Sequence, residues 1–527
     1  MKFIRIVMFT LLQITNKVSC IDVNTTSGVV RGQTLHVLNT SIDQFLGIPF
    51  SEPPVGSLRF DKPVAIKKPL KEVIDATKPK HSCMQNPREG LSLSEDCLVL
   101  NIWAPNNRSS ALKPVMFWIY GGGLSGGSIF MDTHNGSVLA THEVVIVSTN
   151  YRLGEFGFLY GDREDAPGNV GFYDQLLALK WVRENIHSFG GDRDQITIFG
   201  ESAGSWSVSA HILSPLSKGL FKRAIMESGA HMYNKDRDVI TAEESVANGK
   251  YIATQENCNQ TEDWIQCLRR VDAQNLVKYA KALTYPVLGT EFLPVSAQKA
   301  FRNKQINLDI DLMAGVTRNE GSGFAKIILS QPNKTTLEQF KFGINLVNAL
   351  YHNIDVPKVT DSYLSGVNTT DPTTLWHRFA DFFGDLILKC PTYLFARQFS
   401  AGVADKHRVY FYELDYGSEL YGKHTGCDPK TMGVCHAADV PFVFGLPFIH
   451  TKDFSPQDLV FSRDVMRLWT KFAKDGRFGD EWPQLSGAGV SSGAPPLVRS
   501  LDPANMSRIY TDPYHNTCDG IWQTYYL

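Results

Sequence analysis

The chain has 527 residues, with Lys+Arg 52 against Asp+Glu 54 and a formal net charge of −2. That near-balance sets up no global field, so neither nucleic acid nor an anionic membrane surface is an expected partner. A hydrophobic content of 43% is ordinary for a globular protein with a large core. At roughly 150 residues per domain the length would allow about three domains. No linker, repeat or long charge run divides the chain, and its one Gly/Ser/Pro-rich loop, residues 486–496, lies near the end. One large domain with insertions, residues 21–527, is the better reading.

Residues 1–20 read as a signal peptide. Lys2 and Arg5 precede the apolar run 6–12, and small residues follow near Ser19-Cys20. The run is too short to span a membrane. Residues 522–527 carry neither an apolar tail nor a retention signal, so secretion without a membrane anchor is expected. With Cys20 at the cleavage point, the remaining cysteines are Cys83, Cys97, Cys258, Cys267, Cys390, Cys427, Cys435 and Cys518. An even number in an oxidising compartment reads as disulfides. Nearness along the chain favours Cys83–Cys97, Cys258–Cys267 and Cys427–Cys435, leaving Cys390–Cys518, although order alone does not decide connectivity. Sequons at Asn24, Asn39, Asn107, Asn135, Asn259, Asn333, Asn368 and Asn505 lead us to expect a glycoprotein.

Taken in order, residues 27–32 and 45–50 read as short strands, and 95–103 as a strand closed by Pro105. Residues 114–120 are almost unbroken apolar, the pattern of a strand buried on both faces of a mainly parallel sheet. They run straight into Gly121-Gly122-Gly123, and residues 144–150 repeat the pattern. A helix is expected over 171–186, with Phe172, Leu176, Leu179 and Val182 on one stripe. It leads to a strand at 195–198 and so makes a strand–helix–strand unit, whose crossover is almost always right-handed. Then come Phe199-Gly200-Glu201-Ser202-Ala203-Gly204 and a run suited to a helix, 205–213, stopped by Pro215. Residues 223–228, 312–316 and 409–414 read as later strands. Helical stretches at 232–309 and 323–406 are expected to cover the site. A final amphipathic helix carries Leu459, Val465, Leu468, Trp469 and Phe472 and ends before Gly476.

The chemistry centres on Gly200-Glu201-Ser202-Ala203-Gly204, set between strand and helix. A serine alcohol is a weak nucleophile until a base takes its proton, and a sharp strand-to-helix turn exposes its oxygen. Small residues two positions either side relieve the crowding of such a turn. The helix N-terminus also aims amides at the place where negative charge develops. Gly121-Gly122-Gly123 lets backbone approach a substrate carbonyl, so the amides of Gly122, Gly123 and Ala203 are the candidate oxyanion donors. In the order nucleophile, acid, histidine, the base is one of His352, His377, His407, His424, His436, His450 and His515. His436, in a loop beyond the 409–414 strand, and His424 are the main rivals. Glu320, just past the 312–316 strand, is the candidate acid. Once the cysteines are paired, no His/Cys cluster at zinc spacing remains, and neither metal nor cofactor is expected.

Residues 189–204 resemble the serine signature of the type-B carboxylesterase/cholinesterase family, and residues 95–105 its second signature around a disulfide cysteine. Val99 departs from that second pattern, where an aromatic residue or threonine is usual. The similarity runs from about Val29 to beyond Phe444. It implies an α/β-hydrolase: a mostly parallel central sheet flanked by helices, with helical insertions over the active site. It further implies Ser202 as nucleophile, Glu320 as acid, His436 as base and Gly122, Gly123 and Ala203 as the oxyanion hole, with Glu201 and Ser228 in supporting roles. The disulfides it implies are Cys83–Cys97, Cys258–Cys267 and Cys390–Cys518, with Cys427–Cys435 as an addition. The implied substrate is a small carboxylic ester. In cholinesterases a tryptophan before the second signature grips quaternary ammonium. Residues 84–96 here contain no aromatic residue, which favours a general carboxylesterase over a choline esterase. Tyr285 to Phe292 are expected to wall the acyl side. An interfacial lipase and a non-catalytic adhesion ectodomain of the same fold are the competing classes. Relatives of the adhesion class lose the serine and carry a membrane span, whereas this chain keeps Ser202.

Overall fold

A computed structural model describes residues 20–106, 111–259, 261–329, 331–403, 406–486 and 494–527. The signal segment up to residue 19, Asn107 and much of the 486–496 loop therefore lie outside the described residues.

Long apolar runs that hide both faces need a sheet covered on both sides, and the described residues build one of thirteen strands. In chain order these are β1 (Cys20–Thr25), β2 (Gly28–Val37), β3 (Thr40–Pro49), β4 (Leu70–Asp75), β5 (Val99–Pro105), β6 (Lys113–Ile119) and β7 (Val145–Thr149). They continue with β8 (Gly191–Glu201), β9 (Arg223–Glu227), β10 (Asp311–Thr317), β11 (Val409–Leu414), β12 (Leu497–Leu501) and β13 (Ile509–Thr511). Their spatial order is β1-β2-β3-β5-β7-β6-β8-β9-β10-β11-β12-β13, with β4 beside β2. From β7 to β12 all neighbours are parallel. The strands before β7 in this order join antiparallel, as does β13.

Helix α1 (Val170–Asn185) buries Phe172, Leu176, Leu179 and Val182. It joins β7 to β8 as expected, but β6 lies between those strands, so the crossover spans an intervening strand. Strand β6, apolar after Lys113, takes the central place: Val115, Phe117, Trp118 and Ile119 have no exposed surface. The second-signature strand starts at Val99 rather than Glu95, because Cys97 turns aside to pair with Cys83. Strands β12 and β13 had no clear signal, since Arg499 interrupts the pattern; its buried guanidinium donates to Met506 O at 2.8 Å.

Helix α2 (Ala203–Leu213) follows β8. The last long helix, α3 (Pro456–Asp475), starts in a Ser455 capping box and stops at Gly476, which adopts φ 66°. Val465, Leu468, Trp469 and Phe472 are buried, while Leu459 is half-buried. Burying each of the large apolar side chains contributes roughly 2 kcal/mol. Four disulfides join Cys83–Cys97, Cys258–Cys267, Cys390–Cys518 and Cys427–Cys435, and Cys20 is free and exposed. Among the described residues no helix is long and apolar enough to cross a membrane. The sequon asparagines 24, 39, 259, 333, 368 and 505 are exposed, and Asn135 is half-buried.

Candidate active site

In an open parallel sheet, sites form where strands end at their carboxyl edges. Here β6, β8, β9 and β10 deliver Gly121, Ser202, Ser228 and Glu320 to that edge within a few residues of their ends. Strand β8 stops at Glu201 and α2 starts at Ala203, leaving Ser202 as the turn itself. Its backbone, φ 57° and ψ −122°, is a strained conformation costing of order 1–3 kcal/mol. Ser202 N donates to Glu227 O at 2.8 Å, and Trp206 N donates to Ser202 O at 2.9 Å, which hold it there. The flanking glycines answer a close approach from β6. A Cβ on Gly200 would come within 2.6 Å of Ile119 O, and one on Gly204 within 2.0 Å.

The triple glycine packs against this turn. A Cβ on Gly121 would lie 2.9 Å from the Ser202 Cβ. Gly122 and Gly123 take φ 101° and 66°. Gly122 O accepts from Ser125 N at 3.1 Å and Gly126 N at 3.0 Å, and Gly123 O from Thr284 N at 2.8 Å. Their carbonyls are thus tied into the protein. Ala203, at the first turn of α2, has an N–H with no partner inside the helix.

The histidine arrives from far along the chain. His436 Nδ1 lies 2.7 Å from Glu320 Oε2, while Glu320 Oε1 accepts from Thr317 N at 2.7 Å. Two neighbours bind the histidine loop to the acid loop. Asn319 N donates to Val434 O at 2.9 Å, and Asn319 Oδ1 accepts from Val434 N at 3.0 Å. Ser322 Oγ donates to Met432 O at 2.7 Å. His424 is exposed and lies 3.5 Å from Asp453. On its other side, His436 Nε2 lies 3.1 Å from Glu201 Oε1. Among the described residues neither of those atoms has a hydrogen-bond partner, so the imidazole is not bonded to the Ser202 hydroxyl.

Three buried acids therefore act on one imidazole, Glu201, Glu320 and Asp439, and a fourth, Glu227, is buried beside Asp439 and Glu201. Burial pushes the Glu201 carboxyl up to about 8; His436 pulls it back, and Asp439 and Glu320 add to the rise. Burial disfavours the His436 imidazolium, but Glu201 and Glu320 outweigh it and raise the ring to about 9. The two groups face each other, and a charge on either favours the charged form of the other. Burial and Glu320 raise Asp439 to about 6, and the Tyr412 hydroxyl donates to it at 2.9 Å. Burial holds Glu227 well above the usual range; Trp469 Nε1 donates to it at 2.8 Å. Ser228 is fully buried at φ 58°, its N donating to Gly315 O at 2.8 Å and its Oγ without a partner among the described residues.

A family model described as the carboxylesterase family matches residues 19–497. The chain belongs to this family. The mostly parallel sheet between helices is accordingly the family's α/β-hydrolase fold. Among its relatives are an acetylcholinesterase of Bungarus fasciatus, 35% identical over 86% of this chain and 78% of that protein, and acetylcholinesterase 4 of Caenorhabditis briggsae, 33% identical over 87% and 83%. A cholinesterase of Mus musculus is 33% identical over 86% of this chain and 78% of its own.

Within this carboxylesterase-family frame, cavities flank the histidine. One of about 200 Å³ runs along the glycine loop past Arg88, Gly122, His134, Glu201 and Tyr421. Another, of about 370 Å³, lies behind Cys427, Cys435, His436 and Phe442. The insertions do reach the site: Phe324 lies 5.4 Å from the His436 ring, and Tyr285 stacks at 5.9 Å on Trp206. Sequence reasoning missed Asn319, Glu227, Asp439 and Arg88. An acid inside the apolar strand Ala224-Ile225-Met226-Glu227 was a readable signal, whereas Asn319 and Arg88 matter through contacts that no local pattern announces.

Proposed function

We propose that this chain is a secreted serine hydrolase that cleaves carboxylic esters, with residues 21–527 forming one esterase domain after a leader peptide. Ser202 is its nucleophile, His436 the base, Glu320 the orienting acid, and the amides of Gly122, Gly123 and Ala203 the oxyanion donors. The observation that carries the reading is the Glu320–His436 bond at 2.7 Å, set at the same sheet edge as the strained Ser202 turn.

On substrate binding the Ser202 hydroxyl turns toward His436 Nε2, a contact that commonly tightens only in the complex. His436 takes the proton as the oxygen attacks the ester carbonyl. The oxyanion then sits among the glycine-loop and Ala203 amides, each such donor supplying about 3 kcal/mol of transition-state stabilisation. Protonated His436 gives its proton to the leaving alcohol, and water repeats the steps on the acyl-enzyme. Glu320 holds the ring orientation and supports its charge. Glu201 and Ser228 play supporting roles, Glu201 through its charge beside His436. Tyr285, stacked on Trp206, walls the acyl side, whereas Phe292 packs on Phe172, Tyr173 and His211 instead.

A general carboxylic ester is the favoured substrate, because residues 84–96 lack the aromatic face that gives a desolvated cation roughly 2 kcal/mol. Choline esters are the second reading, favoured by the cholinesterase relatives. A panel of short-chain, long-chain and choline esters decides: fastest turnover of short neutral esters is expected, and choline esters winning by tenfold would reverse the choice.

A further inference from the structure

Arg88 stands at the cavity beside the glycine loop. Its loop, residues 84–96, is closed by the Cys83–Cys97 disulfide and clamped to the glycine loop by buried Gln85. Gln85 Nε2 donates to Gly127 O at 2.8 Å, and its Oε1 accepts from Gly127 N at 2.8 Å. The clamp sets where Arg88 goes: a Cβ on Gly126 would lie 3.2 Å from Arg88 Nη2. Among the described residues the guanidinium has no ion-pair partner, although it is exposed.

The other titratable groups lining the cavity, besides Tyr421, are His134 and Glu201. His134 is buried with Nδ1 at 2.8 Å from Ser128 O, and burial, with Arg88 nearby, lowers it to about 4. It is neutral at physiological pH. Burial raises the Glu201 carboxyl to about 8, and His436 pulls it back. Among the described residues that line this space, Arg88 is the one Arg or Lys. Which half of the substrate meets it follows from proton transfer. His436 must reach the leaving alcohol, and this cavity is lined by Ala437, next to His436, and by Glu201, which faces Nε2.

We infer that Arg88 makes the cavity beside Gly122 and Glu201 an alcohol subsite for esters whose leaving group carries an oxyanion, such as a carboxylate, sulfonate or phosphate. The same charge turns away quaternary ammonium. The inference rests on the esterase reading above. A guanidinium presents forked donors that match an oxyanion, and a like charge at the same distance is repelled. Because Arg88 is exposed, water screens the effect to about tenfold.

Acetate esters of matched length, with alcohols ending in trimethylammonium, tert-butyl or sulfonate, test it. The native protein is expected to show kcat/KM rising in that order, about tenfold between neighbours, and flattening at high salt. Arg88→Lys keeps the order, Arg88→Gln levels the sulfonate with the tert-butyl ester, and Arg88→Glu reverses it. Turnover of all the esters with ratios the same in native protein, Arg88→Gln and Arg88→Glu overturns the subsite alone. Native protein that hydrolyses none of them overturns the esterase reading and the subsite together.

Discussion

The serine half of the site and its histidine half are held in different ways. Ser202 and the glycine loop sit directly on the ends of adjacent parallel strands, crowded by Ile119 and Glu201 backbone, where only glycine fits at 200 and 204. His436 sits in a loop well past the end of β11, held by Asn319, Ser322 and the Cys427–Cys435 disulfide. The first half is set by the sheet, and the second by a few side-chain contacts between loops. Damage to the serine half should therefore be all-or-none. Damage to the histidine half should grade activity while the protein stays folded.

The largest effect sharpens the first half of that contrast. Ser202→Ala is expected to lower p-nitrophenyl acetate hydrolysis by about 10⁴ or more, with the thermal midpoint and secretion unchanged. Retained turnover would refute the nucleophile. Next comes Gly433→Ala on the other half. Gly433 has φ 71°, and a Cβ there would meet Asn319 Oδ1 at 2.1 Å, so the loop must shift. A displacement near 1 Å costs about 10²-fold in rate, read as a fall in kcat with KM little changed. An unaffected kcat would show that the histidine loop is not positioned by Asn319.

The disulfides extend the comparison to stability. Cys427–Cys435 closes a separation of 8 residues and Cys390–Cys518 one of 128, worth about 2–3 and about 5 kcal/mol in the chain-entropy account. Replacing Cys390 and Cys518 by serine should lower the melting temperature more, whereas the same change at Cys427 and Cys435 should cost more kcat in the folded protein. The reverse pattern in paired melting and kinetic measurements would break the distinction. The smallest effect is a pH shift. His436 works as a base only when unprotonated, and the Glu201 carboxylate raises its pKa. Glu201→Gln removes that carboxylate, so the acid limb of the kcat/KM profile is expected to move to lower pH. A limb that moves up would contradict that coupling.

The same contrast explains what could be read in advance. Unbroken apolar runs announced the buried strands at 115–119 and 145–149, and the Gly-x-Ser-x-Gly turn announced itself between strand and helix, because both patterns are local. The strand order was hidden: nothing near residues 113–119 says that this strand lies between β7 and β8. Spacing left His424 and His436 as rivals, and a long-range pairing with the acid loop separates them. Arg88 is hidden for a similar reason. Its loop stands out in the sequence for the aromatic residue it lacks, and only the Gln85 clamp shows where its charge is carried.

The most direct test of the account is covalent labelling by a fluorophosphonate, read by intact and peptide mass. One adduct on Ser202 is expected in the native protein and in His424→Gln, with labelling slowed by orders of magnitude in His436→Gln. An adduct on another residue, or a native rate in His436→Gln beside a silent His424→Gln, would contradict it.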